Sequence, residues 1–98
     1  MIKKEKLQKM KLVRSSIDKI DDRILPLMVK RSKLVNKALS LKSYKNEIID
    51  KKRINQILKK VGIKTKRLNG NSKLLKAIWM SMIQNFIDYE KKEFKKKK

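Results

Sequence analysis

The chain has 98 residues, of which 30 are Lys or Arg and 9 are Asp or Glu, so its formal net charge at pH 7 is +21. It contains no Cys and no His, which excludes disulfides, thiolate nucleophiles, zinc–thiolate sites and the usual imidazole base. This length fits one small domain, and such a basic chain first suggests a nucleic-acid binder.

Part of the charge lies at the two ends of the chain. Residues 1–11 hold five Lys and one Glu, and residues 91–98 hold six Lys and one Glu. Neither end carries the apolar run of a signal peptide or a membrane span. We therefore expect a basic N-terminal extension of the first helix over 1–11, a solvated, frayed Lys-rich tail over 91–98, and a cytoplasmic protein without membrane contact.

The first predicted element is a long amphipathic helix. Its apolar residues recur at spacings of three, four and seven, and they keep their phase across Pro26. Proline removes one backbone hydrogen bond, so we predict one kinked helix rather than two. The apolar stripe consists of Met10, Ile17, Ile20, Ile24, Leu27, Leu34, Ala38 and Leu41.

Two shorter helices are predicted to follow. The second begins at Asp50 as its N-cap and ends at Gly62, residues 63–71 form a loop, and Asn71 or Ser72 caps the third. No segment has the period of a strand, so we predict an all-α, three-helix protein. The apolar positions are Ile54, Ile57, Leu58 and Val61 in the second helix, and Leu75, Ile78, Met82, Ile83, Phe86 and Ile87 in the third.

Four charged residues stand where an apolar residue is expected. Arg14 and Arg31 lie in register with the first stripe, Arg53 with the second and Glu90 with the third. A charge on a buried face is costly unless it is paired, so these side chains either reach the surface or an acidic partner, or they form a binding site.

Helical spacing favours a site for a small dianion. Arg31 and Lys42 are eleven residues apart, about 16 Å along a helix, so their side chains could hold a small dianion from both ends. Arg14 lies about 25 Å from Arg31 along the same helix and reaches that ligand only from a second chain. This arrangement predicts a dimer with shared sites.

Three stretches of sequence share their spacing with a known enzyme family. They are Val13-Arg14-x-x-Ile17-Asp18-x-Ile20-Asp21-x-x-Ile24-Leu25-x-Leu27-x-x-x-Arg31-x-x-Leu34-Val35, then Lys42, then Asp50-x-x-Arg53. Over residues 12–90 the pattern resembles the all-helical (type II) chorismate mutase family. The resemblance implies a helical domain over 12–90, with a long first helix that intertwines with its partner in a homodimer.

The resemblance also implies an activity and a substrate. The family rearranges chorismate, a dicarboxylate, to prephenate in aromatic amino acid biosynthesis, with no metal and no organic cofactor. Such a reaction needs a compact substrate conformer and preorganised cations, and neither His nor Cys.

Site residues follow from the same resemblance. Arg14 would reach from the partner chain to one substrate carboxylate, and Arg31 would hold the other. Lys42 would donate to the ether oxygen, where negative charge develops. Arg53 would support the site, and Asp50 would lie near the ring hydroxyl.

Three positions depart from the family pattern. Ile54 replaces the Glu that binds the ring hydroxyl, and Phe86 replaces a Ser that assists carboxylate binding. Glu90 replaces a Gln that donates to the ether oxygen, a replacement that some members share. Because a carboxyl group donates only when it is protonated, we expect activity to fade toward high pH, and less so in Glu90→Gln.

These departures leave two alternatives open. The related isochorismate–pyruvate lyases share the fold and the cations and lack the mutase Glu, and they form salicylate. A non-catalytic, basic nucleic-acid binder is the other alternative. Against nucleic acid as a partner, Lys is spread around the helices and no DNA- or RNA-reading motif is present.

Overall fold

The computed structural model describes residues 3–97, and these residues form three α-helices and one short 3₁₀ helix. Helix α1 spans Lys3–Ser40, the 3₁₀ helix Lys45–Glu47, α2 Lys51–Arg67 and α3 Ser72–Lys97. No strand occurs within 3–97. The predicted all-α protomer with a long first helix is confirmed.

Helix α1 passes through Pro26 without a break, as the constant phase of its stripe predicts. It ends at Ser40, and a turn follows in which the N–H of Lys42 donates to the carbonyl of Leu39 at 3.0 Å. Lys42 therefore lies beyond the helix. The predicted helical spacing between Arg31 and Lys42 is wrong, because helical rise does not continue to Lys42.

Helix α2 begins as predicted. Asp50 is its N-cap, and Oδ1 of Asp50 accepts a hydrogen bond of 3.0 Å from the N–H of Arg53. The predicted end at Gly62 is wrong, since α2 continues to Arg67. Gly62 is buried, and its carbonyl accepts from the Ser72 hydroxyl at 2.9 Å. The glycine thus lies inside α2 and does not end the helix.

A Schellman motif ends α2. Asn69 has a φ of 60°, a left-handed conformation that Asn tolerates. The N–H of Gly70 donates to the carbonyl of Thr65 at 2.9 Å, and the N–H of Asn69 to that of Lys66 at 3.1 Å. The predicted loop over 63–71 is therefore confined to the four residues between α2 and α3.

Helix α3 is capped by Asn71, whose side chain accepts from the N–H of Leu74 at 3.0 Å. We expected the apolar face to end near Glu90 and a frayed tail to follow. Instead α3 runs on to Lys97, and Phe94 is buried at 4% exposure. The Lys-rich segment thus contributes an apolar side chain to the core.

The chain divides into two units, residues 1–34 and residues 35–98. The second unit holds the core, in which α2 packs on α3. The buried apolar residues of this core are Leu39, Ile48, Ile83, Ile87 and Phe94, and Ile54, Ile57 and Leu58 pack against them.

The first unit is a single stretch of α1, and its apolar stripe is exposed. No residue within 3–34 is fully buried, and exposure along the stripe runs from 42% at Met10 to 65% at Leu27. An isolated helix of this kind gains little stability without tertiary packing of its apolar face. Within residues 3–97, no helix is long and apolar enough to cross a bilayer.

Candidate active site

Lys42 and Glu90 form a half-buried ion pair between the turn after α1 and helix α3. The Nζ of Lys42 donates to Oε1 of Glu90 at 2.8 Å, and the two side chains are 21% and 9% exposed. A carboxylate this buried is costly without a charged donor, and such charge-assisted hydrogen bonds are among the stronger ones in proteins. The pair places an ammonium group at a defined point on the protein.

The segment after Lys42 is held by Glu47, a residue that sequence analysis missed. Oε1 of Glu47 accepts from the N–H of Ser43 at 3.1 Å and from that of Tyr44 at 2.9 Å. The available signal was a Glu three residues after Tyr44, the spacing of a capping box without its usual Ser or Thr. Glu47 thereby limits the freedom of the backbone next to Lys42.

Glu90 lies on the buried face of α3, between Ile87 and Phe94. The preceding residue, Tyr89, donates its hydroxyl to Oδ1 of Asn36 at 2.7 Å and so ties α3 to the end of α1. This contact joins residues 53 positions apart, and no local pattern in the sequence indicates it. It helps to hold the part of α3 that carries Glu90.

Asp50 and Lys42 line the same open cavity, which has a volume of about 560 Å³. The cavity is lined by Lys42, Asn46, Glu47, Ile49, Asp50 and Lys51. Asp50 also caps α2 through the Arg53 backbone, and the Arg53 side chain is exposed. The structure thus brings together Lys42, Glu90 and Asp50, three of the predicted site residues, within residues 35–98.

Arg14 and Arg31 belong to the unit of residues 1–34. Arg14 is exposed and lines a depression of about 470 Å³ on α1 together with Met10 and Asp18. Arg31 is half-buried. The roles expected of both residues stay predictions.

In a comparison with known protein families, the family model of chorismate mutase type II matches residues 13–91. The chain belongs to the type II chorismate mutase family. No curated protein and no solved structure matches the chain. Membership places it among chorismate-mutase-type enzymes, and the matched segment contains every predicted site residue.

In this member of the family, the two apolar residues that depart from the family pattern are part of the packing. Ile54 is half-buried and packs against the core cluster, and Phe86 on α3 is also half-buried. Neither side chain can form a hydrogen bond with a ring hydroxyl or a carboxylate.

Within 3–97, no three acidic side chains lie close enough together to hold a metal ion. The polar side chains at the Lys42 cavity are two ammonium groups, two carboxylates and one amide, which can bind an organic anion and its hydroxyl groups.

Proposed function

We propose that the protein is a chorismate mutase that rearranges chorismate to prephenate in a site centred on Lys42. The observation that carries this proposal is the ion pair of 2.8 Å between Lys42 and the buried Glu90, in a chain that matches the family over residues 13–91. We further propose that 12–90 is the catalytic domain, flanked by the basic segments 1–11 and 91–98, the second of which adds Phe94 to the core.

The chemistry requires a donor at the ether oxygen. As the carbon–oxygen bond of chorismate breaks, negative charge develops on that oxygen, and a preorganised cation stabilises it more than it stabilises the ground state. Lys42 supplies the cation. Because Glu90 and the Glu47-bound turn hold its position before the substrate arrives, less entropy is lost in reaching the transition state.

Substrate carboxylates are assigned to two arginines. Arg31 of one chain binds one carboxylate, and Arg14 of the partner chain binds the other. The exposed stripe of α1 supports this arrangement, because Ile17, Ile20 and Ile24 are 47–54% exposed in the single chain. Pairing of two α1 helices in a homodimer would cover these side chains and bring Arg14 to the second chain.

Two further polar residues complete the proposed site. Asp50 lines the same cavity as Lys42 and accepts from the ring hydroxyl of the substrate. Arg53 lies in the first turn of α2 and is exposed, so its guanidinium can support the anionic ligand. No metal and no organic cofactor takes part in this mechanism.

A second candidate activity is favoured by the packing of Ile54. Ile54, half-buried against the core, stands where the mutase pattern has a Glu, and the isochorismate–pyruvate lyases also lack this Glu. The two activities are separated by incubating the purified protein with chorismate and with isochorismate. Prephenate from chorismate supports the mutase, whereas salicylate and pyruvate from isochorismate support the lyase.

A further inference from the structure

Helix α2 carries an unusual concentration of positive charge. Eight of its 17 residues are Lys or Arg, and none is Asp or Glu. All eight are exposed, and none forms an ion pair within the described part of the chain. The proposed catalytic site uses only Arg53 of the eight, so this charge needs a separate explanation.

The cations form two rows along the exposed side of α2. Residues seven apart on an α-helix point in nearly the same direction and lie about 10.5 Å from one another. The first row is Lys52, Lys59 and Lys66, and the second is Arg53, Lys60 and Arg67. Each row is about 21 Å long. Six of the eight cations of α2 are therefore arranged in rows and are not spread evenly around the helix.

The residues between the rows carry no charge. Gln56 and Ile63 lie along the middle of the exposed side, flanked by cations on both sides. The opposite side of α2 contains Gly62 and Thr65, which are buried in the protein. An uncharged ridge between two cationic rows matches a groove whose two walls are negatively charged.

We propose that the exposed side of α2 binds the major groove of double-stranded DNA without sequence preference. The major groove is about 12 Å wide and admits an α-helix, which would place the two rows toward the phosphates of the two strands. Phosphate contacts of this kind carry affinity but little sequence information. This inference does not depend on the proposed enzymatic activity.

Other polyanionic surfaces fit α2 less well. The major groove of an RNA duplex is too deep and narrow for a helix. Single strands are bound through stacking on aromatic side chains, and α2 contains none. A membrane surface requires a broad apolar face, and Ile63 is the single apolar residue between the rows.

The test measures binding of the full chain to a fluorescent mixed-sequence DNA duplex of about 20 base pairs, from about 0.05 to about 0.2 M salt. Six phosphate contacts predict a slope of log affinity against log salt of about −5. Replacing Lys59, Lys60, Lys66 and Arg67 by Gln should change this slope to about −2 and weaken binding at low salt by more than about ten-fold.

A matched control removes the same charge from another helix. Lys3, Lys4, Lys6 and Lys9 of α1 are exposed, and their replacement by Gln also lowers the net charge by four. This variant should change the slope by less than about one unit. If both variants weaken binding equally, charge alone accounts for the binding. If neither variant weakens binding, α2 makes no contact with DNA. Either result overturns the proposal.

An RNA duplex of the same sequence is the second control, and it should bind at least about ten-fold more weakly than DNA. Equal binding of the two duplexes would contradict docking in the major groove. Gln resembles Lys in helix propensity, and circular dichroism checks that each variant is folded. If the fourfold variant does not fold, the double variant Lys59→Gln, Lys66→Gln takes its place and should lower the slope by about two units.

Discussion

The ammonium nitrogen of Lys42 lies 2.8 Å from Oε1 of Glu90, which joins the turn after α1 to α3 across 48 residues of sequence. Glu90 is 6% exposed, so its charge has little access to water. The pair therefore couples the stability of the fold to the position of the cation assigned to the ether oxygen.

Removal of Lys42 should cost both stability and activity. Lys42→Ala leaves the Glu90 carboxylate buried without this donor, and we expect a loss of about 1–3 kcal/mol in the free energy of unfolding. Turnover should fall by roughly 10²–10³-fold, the effect of removing one preorganised donor. Urea unfolding and steady-state kinetics measure the two effects.

The control is the exposed pair of Lys96 and Glu93, whose atoms are 3.3 Å apart and whose side chains are 75% and 34% exposed. Lys96→Ala should change stability by at most about 0.5–1 kcal/mol, because water screens such pairs. Equal losses in the two variants would show that burial does not strengthen the Lys42–Glu90 pair.

Glu90 should affect activity through Lys42. Its Oε1 accepts from the ammonium group of Lys42 at 2.8 Å, so the carboxylate in this ion pair positions the cation. Glu90→Gln keeps the shape of the side chain but replaces the charged acceptor by a neutral one, and kcat should fall by less than in Lys42→Ala. Steady-state kinetics compares the two variants, and an equal loss of kcat in both would contradict a role of Glu90 in positioning Lys42.

Mixed dimers test whether Arg14 acts on the partner chain. Arg14→Ala and Arg31→Ala should each be inactive as a homodimer. A heterodimer of the two variants contains one site with both arginines, so an equal mixture after subunit exchange should recover about a quarter of wild-type activity. No recovery, once mass spectrometry confirms the heterodimer, would show that both arginines act within one chain.

Replacing Gly62 or Gly70 by Ala should change the stability of the protein in opposite directions. A Cβ at Gly62 would first meet the end of the flexible Lys76 side chain, which can move. Gly62→Ala should therefore stabilise α2 by about 0.5–1 kcal/mol. A Cβ at Gly70 would lie 2.8 Å from Cγ2 of Thr65, which is buried. Gly70→Ala should destabilise the protein by about 1–3 kcal/mol.

Thermal or urea unfolding of the two glycine variants provides the comparison. The hydroxyl of Thr65 donates to the carbonyl of Val61 at 2.7 Å, which limits how far its side chain can turn away from a new Cβ. Stabilisation of both variants would contradict the close packing of the α2–α3 connection.

Local physics explains which parts of the fold could be predicted. The unbroken phase of the α1 stripe indicated a helix through Pro26, and the side chains of Asp50 and Asn71 indicated two helix starts. The predicted helix end at Gly62 was wrong because glycine often ends a helix, whereas here it lies inside α2. The end of α2 depends on Asn69, whose left-handed conformation is only one of several that Asn adopts.

The site residues could be predicted only in part from the spacing of residues. The spacing of residues gave Arg14 and Arg31 a binding role, but it placed Lys42 on α1, which ends two residues earlier. The family resemblance, and not periodicity, assigned Lys42 and Glu90 to one atom of the substrate. Tyr89 and Glu47 were missed because their hydrogen bonds depend on the tertiary fold or on an incomplete capping pattern.

The most direct measurement of the central claim is the conversion of chorismate to prephenate by the purified wild-type protein. Arg31→Ala and Lys42→Ala serve as inactive variants, and Lys45→Ala, an exposed neighbour of the same charge, serves as the matched control. We predict prephenate formation by the wild type and by Lys45→Ala, and its loss in the two other variants without loss of helix content. Chorismate left unconverted by the folded wild-type protein would contradict the account.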